Sequence, residues 1–258
     1  MEKNKKTYST KKVVQYYSKY ETLQKPEETI LNLLKGRLKQ MHMLDIGIGG
    51  GRTTKYFAPL VKEYTGIDYS EQMVKASKDK FNEIFLNSNF LFADVRDLGF
   101  FGEKKFDFIL FSFNGFDALE HDDRITALKE IRSRLIPDGY FCFSTHNIRC
   151  IDKWKSVEFS LNPSAFLENI ITYYKRKSVN NLNRAKIEEI SNSNYIMIND
   201  GGHDWQLDTF YIQPSLQVSE LKECGFRNIR IFSLENGKEM DYENAVNCSE
   251  KWLYFLCT

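Results

Sequence analysis

The stretch Leu44-Asp45-Ile46-Gly47-Ile48-Gly49-Gly50-Gly51 decides the fold. Met41 to Ile46 has the apolar content of a short buried strand, and it runs without a spacer into four glycines. Helical spacing resumes from Thr53 to Leu60. A strand that ends in glycine and opens a helix brings bare backbone and the free N–H groups of a helix N-terminus to one point, which suits a polar or negatively charged ligand. The glycines are spaced Gly-x-Gly-x-Gly, and Arg52 stands where the dinucleotide fingerprint requires its third glycine. That departure weakens a nicotinamide reading.

Outward from this loop the chain alternates strands and helices. The pattern predicts a helix from Pro26 to Lys39, strand Glu63–Ile67, helix Ser70–Phe81, strand Asn89–Ala93, strand Phe106–Ser112, helix Asp122–Leu135 and strand Tyr140–Ser144. After residue 149 the rhythm breaks into a helix-like piece from Pro163 to Tyr174, a polar Asn-rich stretch, and two short strands, Tyr195–Ile198 and Leu207–Ile212, with Asp200-Gly201-Gly202 between them. It then resumes with helix Pro214–Cys224 and strands Asn228–Leu234 and Lys251–Cys257. Such alternation implies an α/β fold: a doubly wound, mostly parallel sheet with helices on both faces. The expected units are a basic N-terminal tail and lid segment (1–25), a Rossmann-like domain (26–148 and 214–258), and an inserted α+β cap (149–213).

Composition narrows the function. Apolar residues make up 42% of 258 residues, enough for a large core, while 36 basic against 35 acidic residues leave no field to attract a polyanion. Ten Lys/Arg against four Glu fall within residues 1–40, which reads as a solvated tail. The five cysteines are scattered, without a C-x-x-C pair, so neither a disulfide framework nor a zinc knuckle is expected and a reducing cytoplasm fits. No signal peptide, membrane span or metal site is expected. The cluster Tyr173-Tyr174-Lys175-Arg176-Lys177 is a single basic-aromatic spot, too little for a nucleic-acid surface.

Two further acids stand at predicted strand ends. Asp68, in Gly66-Ile67-Asp68-Tyr69-Ser70, can accept from both hydroxyls of a ribose, and Asp94, in Phe92-Ala93-Asp94-Val95, can accept from an exocyclic adenine amine. Together with Asp45, three acids at one edge of one sheet favour a nucleoside.

On these motifs, in this order over residues 40–145, the sequence resembles the class I S-adenosylmethionine-dependent methyltransferases. Asp45-x-Gly47-x-Gly49-x-Gly51 resembles their first motif, Asp68 their ribose acid, and Asp94-Val95 their adenine clamp. Phe106 to Ser112 is similar to their fourth strand, and Leu135-Ile136-Pro137-Asp138-Gly139-Tyr140 to the turn into their fifth. The last two predicted strands resemble their closing antiparallel hairpin. The resemblance implies a seven-stranded sheet, S-adenosyl-L-methionine as cofactor, and Asp45, Gly47, Gly49, Gly51, Arg52, Asp68, Tyr69, Met73, Asp94, Val95 and Ser112 around it.

The fourth strand leads into Phe113-Asn114-Gly115-Phe116-Asp117, without the Asn/Asp-Pro-Pro-Tyr/Phe signature of enzymes that methylate nucleic-acid amines. A small-molecule N or O nucleophile is therefore the expected acceptor, held between the strand ends and the cap. His146 is the candidate base, with Asn114 and Tyr211 beside it. His203 is a second histidine in the cap hairpin, while His42 and His121 read as structural. A dinucleotide-dependent oxidoreductase and a cofactor-binding module without turnover are the competing readings.

Overall fold

The computed structural model describes residues 2–155, 157–179 and 193–258. Part of the Asn-rich stretch expected within the cap therefore lies outside the described residues. Five parallel strands form the first half of the sheet: β1 (His42–Ile46), β2 (Glu63–Asp68), β3 (Ser88–Phe92), β4 (Phe106–Phe111) and β5 (Leu135–Asn147). They lie in the order β3-β2-β1-β4-β5, so the chain reverses direction across the sheet beside β1. The second half is antiparallel. The last strand, β10 (Trp252–Cys257), inserts between β5 and β8 (Arg230–Ser233), and the short β9 (Glu239–Met240) closes the edge.

The strands alternate their side chains between two apolar layers, as a sheet buried on both faces requires. Leu44, Ile109, Phe111, Leu253 and Phe255 face one layer with α6 (His121–Arg134) and α8 (Pro214–Glu223). Met43, Phe108, Leu110, Tyr254 and Leu256 face the other, against α3 (Lys25–Leu38), α4 (Thr54–Phe57) and α5 (Glu71–Phe81). Local signals set the helix starts. A reciprocal Gln24–Glu27 capping box with Pro26 in the first turn opens α3, and the Ser70 hydroxyl accepts from Met73 N to open α5.

Three expectations are corrected here. The sheet has ten strands rather than seven, because β9 and the cap's hairpin join it. That hairpin, β6 (Tyr195–Ile198) with β7 (Thr209–Ile212), is bonded to the sheet: Tyr211 pairs with His146 and Ile212 with Asn147 in parallel register, where β5 outruns its neighbour β4. Thirdly, the basic N-terminus is not a solvated tail. It forms α1 (Glu2–Tyr8) and α2 (Lys11–Lys19), with Asn4, Thr7 and Val13 buried. Its lysines lie on the outer side, where Lys3 reaches Asp208 and Lys12 reaches Asp204. Among the described residues no helix is long and apolar enough to cross a membrane.

Where the glycine loop, α3 and β4 converge, the Glu27 carboxylate and the Arg52 guanidinium form a two-pronged ion pair with both side chains buried. Glu27 also accepts from Gln24 N at 2.8 Å and from the Tyr254 hydroxyl at 2.8 Å. Arg52 also donates to Thr22 O at 3.1 Å and Ser112 Oγ at 3.0 Å. Removing one partner strands a charge in a dry site, so Glu27→Ala should cost about 3–5 kcal/mol of stability, seen as a lower urea midpoint at unchanged slope. A loss under about 1 kcal/mol would mean that the pair is effectively solvated.

Candidate active site

A cleft opens at the C-terminal ends of β1, β2 and β4, roofed by α1 and α2. Gly47, Gly49, Arg52, Asp68, Tyr69, Met73, Asp94, Val95 and Ser112 line it, together with Tyr8 and Tyr17 from the roof and Phe113 from the loop after β4. Two of the predicted residues lie elsewhere. Asp45 is beneath the loop, where its carboxylate accepts from Thr53 Oγ1 (2.5 Å) and the Tyr64 hydroxyl (2.6 Å), so it shapes the loop without lining the cleft. Gly51 has a positive φ of 80°, and a Cβ there would run into the Phe81 ring, which makes it a packing glycine.

Asp68 is the central acceptor. Its Oδ2 takes Gly49 N at 3.0 Å and its Oδ1 takes Ser70 N at 2.8 Å, so two of its four lone-pair positions stay open. Burial pushes this carboxyl up to about 6, against the two N–H donors that favour its charge, and burial does the same to Asp45. Because both values are raised on folding, the stability the two carboxyls contribute is fullest below their ordinary value and is lost as pH rises through about 6.

Asp94 has the opposite balance. Its half-burial raises the carboxyl, but Arg96, bonded through Nε (3.0 Å) and Nη2 (2.7 Å), outweighs burial and holds it below the usual value. One Asp94 lone-pair position remains for a ligand donor. The Tyr69 hydroxyl, on the cleft wall, is buried without a partner. Open lone pairs on Asp68 and Asp94, an orphaned hydroxyl and the apolar faces of Ile67, Met73 and Val95 together fit an adenosine.

The roof rests on the loop itself. A Cβ on Gly50 would come within 2.5 Å of Ser18 N, so α2 can lie on the loop only because this residue has no side chain. Gly49, with φ 54°, faces Tyr17. The Tyr17 hydroxyl shares a 3.1 Å hydrogen bond with His203 Nε2, and burial pushes Tyr17 up to about 12. His203, a candidate on sequence grounds, is thus a roof contact. Gly50→Ala should lift the roof. An overpacking cost of about 1–3 kcal/mol would speed tryptic cleavage within residues 3–19 by roughly 5–150-fold without changing the sheet's circular dichroism. Cleavage at the parent rate would show that α2 does not bear on the loop.

Of the candidate catalytic residues, His146 meets both Asn114 and Tyr211, and none of the three is in the cleft lining, which Phe113 beside Asn114 joins. With its proton on Nδ1, His146 donates to Asp117 Oδ2 at 2.7 Å, and its Nε2 accepts from Asn114 Nδ2 at 3.4 Å. The Tyr211 ring lies 4.7 Å from His146, but this tyrosine is a correction: it is buried, and its hydroxyl donates to Asp200 Oδ2 at 2.9 Å, not toward the cleft. Phe113 and Asn114 both take positive φ, 53° and 60°, a strained backbone of the kind that collects at functional sites.

Sequence reasoning missed the groups that hold His146. Asp117, fully buried, also accepts from Thr145 Oγ1 (2.5 Å), His146 N (2.7 Å) and Arg124 Nη1 (2.7 Å). Arg124 has no exposed surface; it is sandwiched between the rings of Phe116 and Phe210 and donates to Gln217 Oε1 at 2.6 Å. An acid three residues past Asn114 and an arginine on the following helix carry no readable signal, because the contact is made only when β5 and α6 pack.

Residues 43–139 match the family model described as "Methyltransferase domain". A ubiquinone biosynthesis O-methyltransferase of Coxiella burnetii is 32% identical over 111 residues, 43% of this chain and 45% of that protein. The chain thus spans under half the length of that curated relative. The structure of the CcbJ methyltransferase from Streptomyces caelestis superposes with a TM-score of 0.63 over 97% of each chain at 16% identity. That of the 1,6-didemethyltoxoflavin-N1-methyltransferase from Burkholderia thailandensis gives 0.55 over 90% of this chain and 76% of that one, at 18% identity. Residues 43–139 thus carry a methyltransferase domain, and the chain as a whole shares the fold of the methyltransferase structures on which it superposes.

Proposed function

We propose that the protein transfers a methyl group from S-adenosylmethionine to an oxygen or nitrogen of a small molecule. The observation that carries this reading is the succession, along the loop after β4, of Phe113 in the lining of an adenosine-fitting cleft and Asn114 in contact with the Asp117–His146 pair. S-adenosylmethionine supplies a methyl carbon made electrophilic by its sulfonium. Asp68 and Asp94 hold the nucleoside end. Arg52, held by Glu27 and stacked 4.7 Å over Phe113, would lie toward the amino-acid end. The Tyr8 and Tyr17 roof excludes water, and much of the chain's contribution is to orient the acceptor.

At the acceptor, His146 Nε2 would take the nucleophile's proton once the long 3.4 Å bond from Asn114 Nδ2 gives way to the incoming hydroxyl. Asp117 keeps Nε2 unprotonated by accepting from Nδ1, and it stabilises the imidazolium that results. The cap forms the far wall. The relatives' names include both an O- and an N-methyltransferase; the oriented base favours a hydroxyl, since a neutral amine is nucleophilic before it loses a proton and a neutral hydroxyl is only weakly so.

Asp68→Ala should weaken cofactor binding by about 1.5–3 kcal/mol in a calorimetric titration with the fold retained. Affinity should also fall as pH drops below about 6 by up to tenfold per unit, since ribose hydroxyls select the charged carboxyl, and Asp68→Asn should flatten that limb. A pH profile identical in parent and variant would contradict the ribose assignment.

His146→Asn should lower turnover by about 10²–10⁴-fold, read as S-adenosylhomocysteine release from a hydroxyl acceptor, with cofactor affinity intact. Unchanged turnover would remove His146 as the base.

A further inference from the structure

The cap's long helix, α7 (Pro163–Val179), has 17 residues and buries none of them. Several favour a helix only weakly, among them Phe166, Ile170, Ile171, Thr172 and Tyr173. Such a helix owes its stability to the packing of an apolar face rather than to propensity. One side turns inward: Phe166, Ile170 and Tyr173 are half-buried, and the charge of Arg176 faces Asp200 and Tyr211.

The other side is bare. Leu167, Ile171 and Tyr174, spaced i, i+4 and i+7, are each more than half exposed and form one apolar ridge. Phe159 and Leu161, exposed just ahead of the helix, widen it, and the Phe159 ring lies 5.7 Å from that of Phe166. Glu168 and Lys175, both exposed, run along one flank of the ridge, and the small Ser164 and Ser178 end it at equal distances from Ile171.

This pattern is complementary to itself. Turned end for end about Ile171, the ridge sets Leu167 against Tyr174 and Glu168 within one residue's rise of Lys175, at both ends at once. Lys175 is long enough to leave the Trp205 ring, which it overlies at 5.2 Å. A parallel pairing would instead oppose Glu168 to Glu168 and Lys175 to Lys175. An anionic lipid surface would meet the Glu168 carboxylate on the same face.

We infer that α7 is a dimer interface: a second copy of this chain packs its own α7 antiparallel on the ridge, about a two-fold axis at Ile171. Burial of both ridges gives the helix the apolar contact that its own chain does not supply. The inference is independent of the methyltransferase reading.

Sedimentation velocity of the full chain at about 50 μM should give twice the 30.3 kDa of one chain. Ile171→Glu places two like charges across the axis and should leave a monomer at that concentration, with circular dichroism unchanged because the side chain is exposed. Glu168→Lys and Lys175→Glu should each weaken the dimer by about tenfold, since each turns two attractive pairs into repulsive ones. The double variant Glu168→Lys/Lys175→Glu restores both pairs and should bring the dissociation constant back to within about threefold of the parent's, a recovery that a folding defect would not show. A monomeric parent, a dimer that survives Ile171→Glu, or a double variant as weak as the single ones overturns the inference. A parent that is monomeric and floats with vesicles of pure phosphatidylglycerol gives the face to a lipid surface and overturns it as well.

Discussion

The buried pair between Glu27 and Arg52 is the constraint on which the rest of the site depends. Two opposite charges held out of water are costly unless nearly every remaining lone pair and proton is used. Here Glu27 serves the start of α3 and Tyr254 of the last strand, while Arg52 serves the chain before α3 and Ser112 at the end of β4. One ion pair therefore fixes a helix, the glycine loop and both halves of the sheet relative to one another. Arg52 also presents a flat, immobile cation beneath Phe113, so the boundary between the cleft and the His146 array is set by the same pair.

Around that anchor the glycines do two different jobs. Gly47 and Gly49 line the cleft, where a Cβ would meet the Phe111 ring and Tyr17, whereas Gly50 and Gly51 leave room for the α2 backbone on one side and Phe81 on the other. The roof and the floor of the cleft are therefore coupled through the loop. A change in the loop is felt by the helices that exclude water, and a displaced roof bares the loop. The same economy of space is seen behind Phe113, where Arg124, Asp117, Thr145 and His146 form a continuous hydrogen-bonded chain with little freedom to reorient.

Much of the fold was legible because the relevant signals are local. Alternation of apolar residues with period two, glycine at a strand end, and Ser70 ahead of a helix are each read within a few residues, and β6 occupies the range expected from its hydrophobic run. The place of Asp68 at the end of β2 was legible for the same reason. What escaped depends on long-range packing. Arg52 was expected beside the cofactor, but its pairing with Glu27, 25 residues away, is not legible until the sheet closes. Lysines in α1 and α2 suggested a solvated tail because the exposed face carries the charge, while the buried face rests on the few apolar positions around Val13 and Tyr17. β5 was expected to begin at Tyr140 because Pro137-Asp138-Gly139 reads as a turn; in fact the strand runs from Leu135 through a shift in register against β4. Asp45 was misplaced by pattern alone, since a strand-end acid in the family's motif does not say which face of the strand carries the carboxylate.

The central claim is that the cleft is an S-adenosylmethionine site whose sulfonium end meets Phe113, and a structure of the full chain grown with S-adenosylhomocysteine tests it most directly. The account predicts density for ribose hydroxyls on Asp68, adenine beside Asp94 and Val95, and the sulfur directed at Phe113 toward His146. Ligand density elsewhere, or a ligand in the cleft with its sulfur turned away from Phe113 and His146, would contradict it.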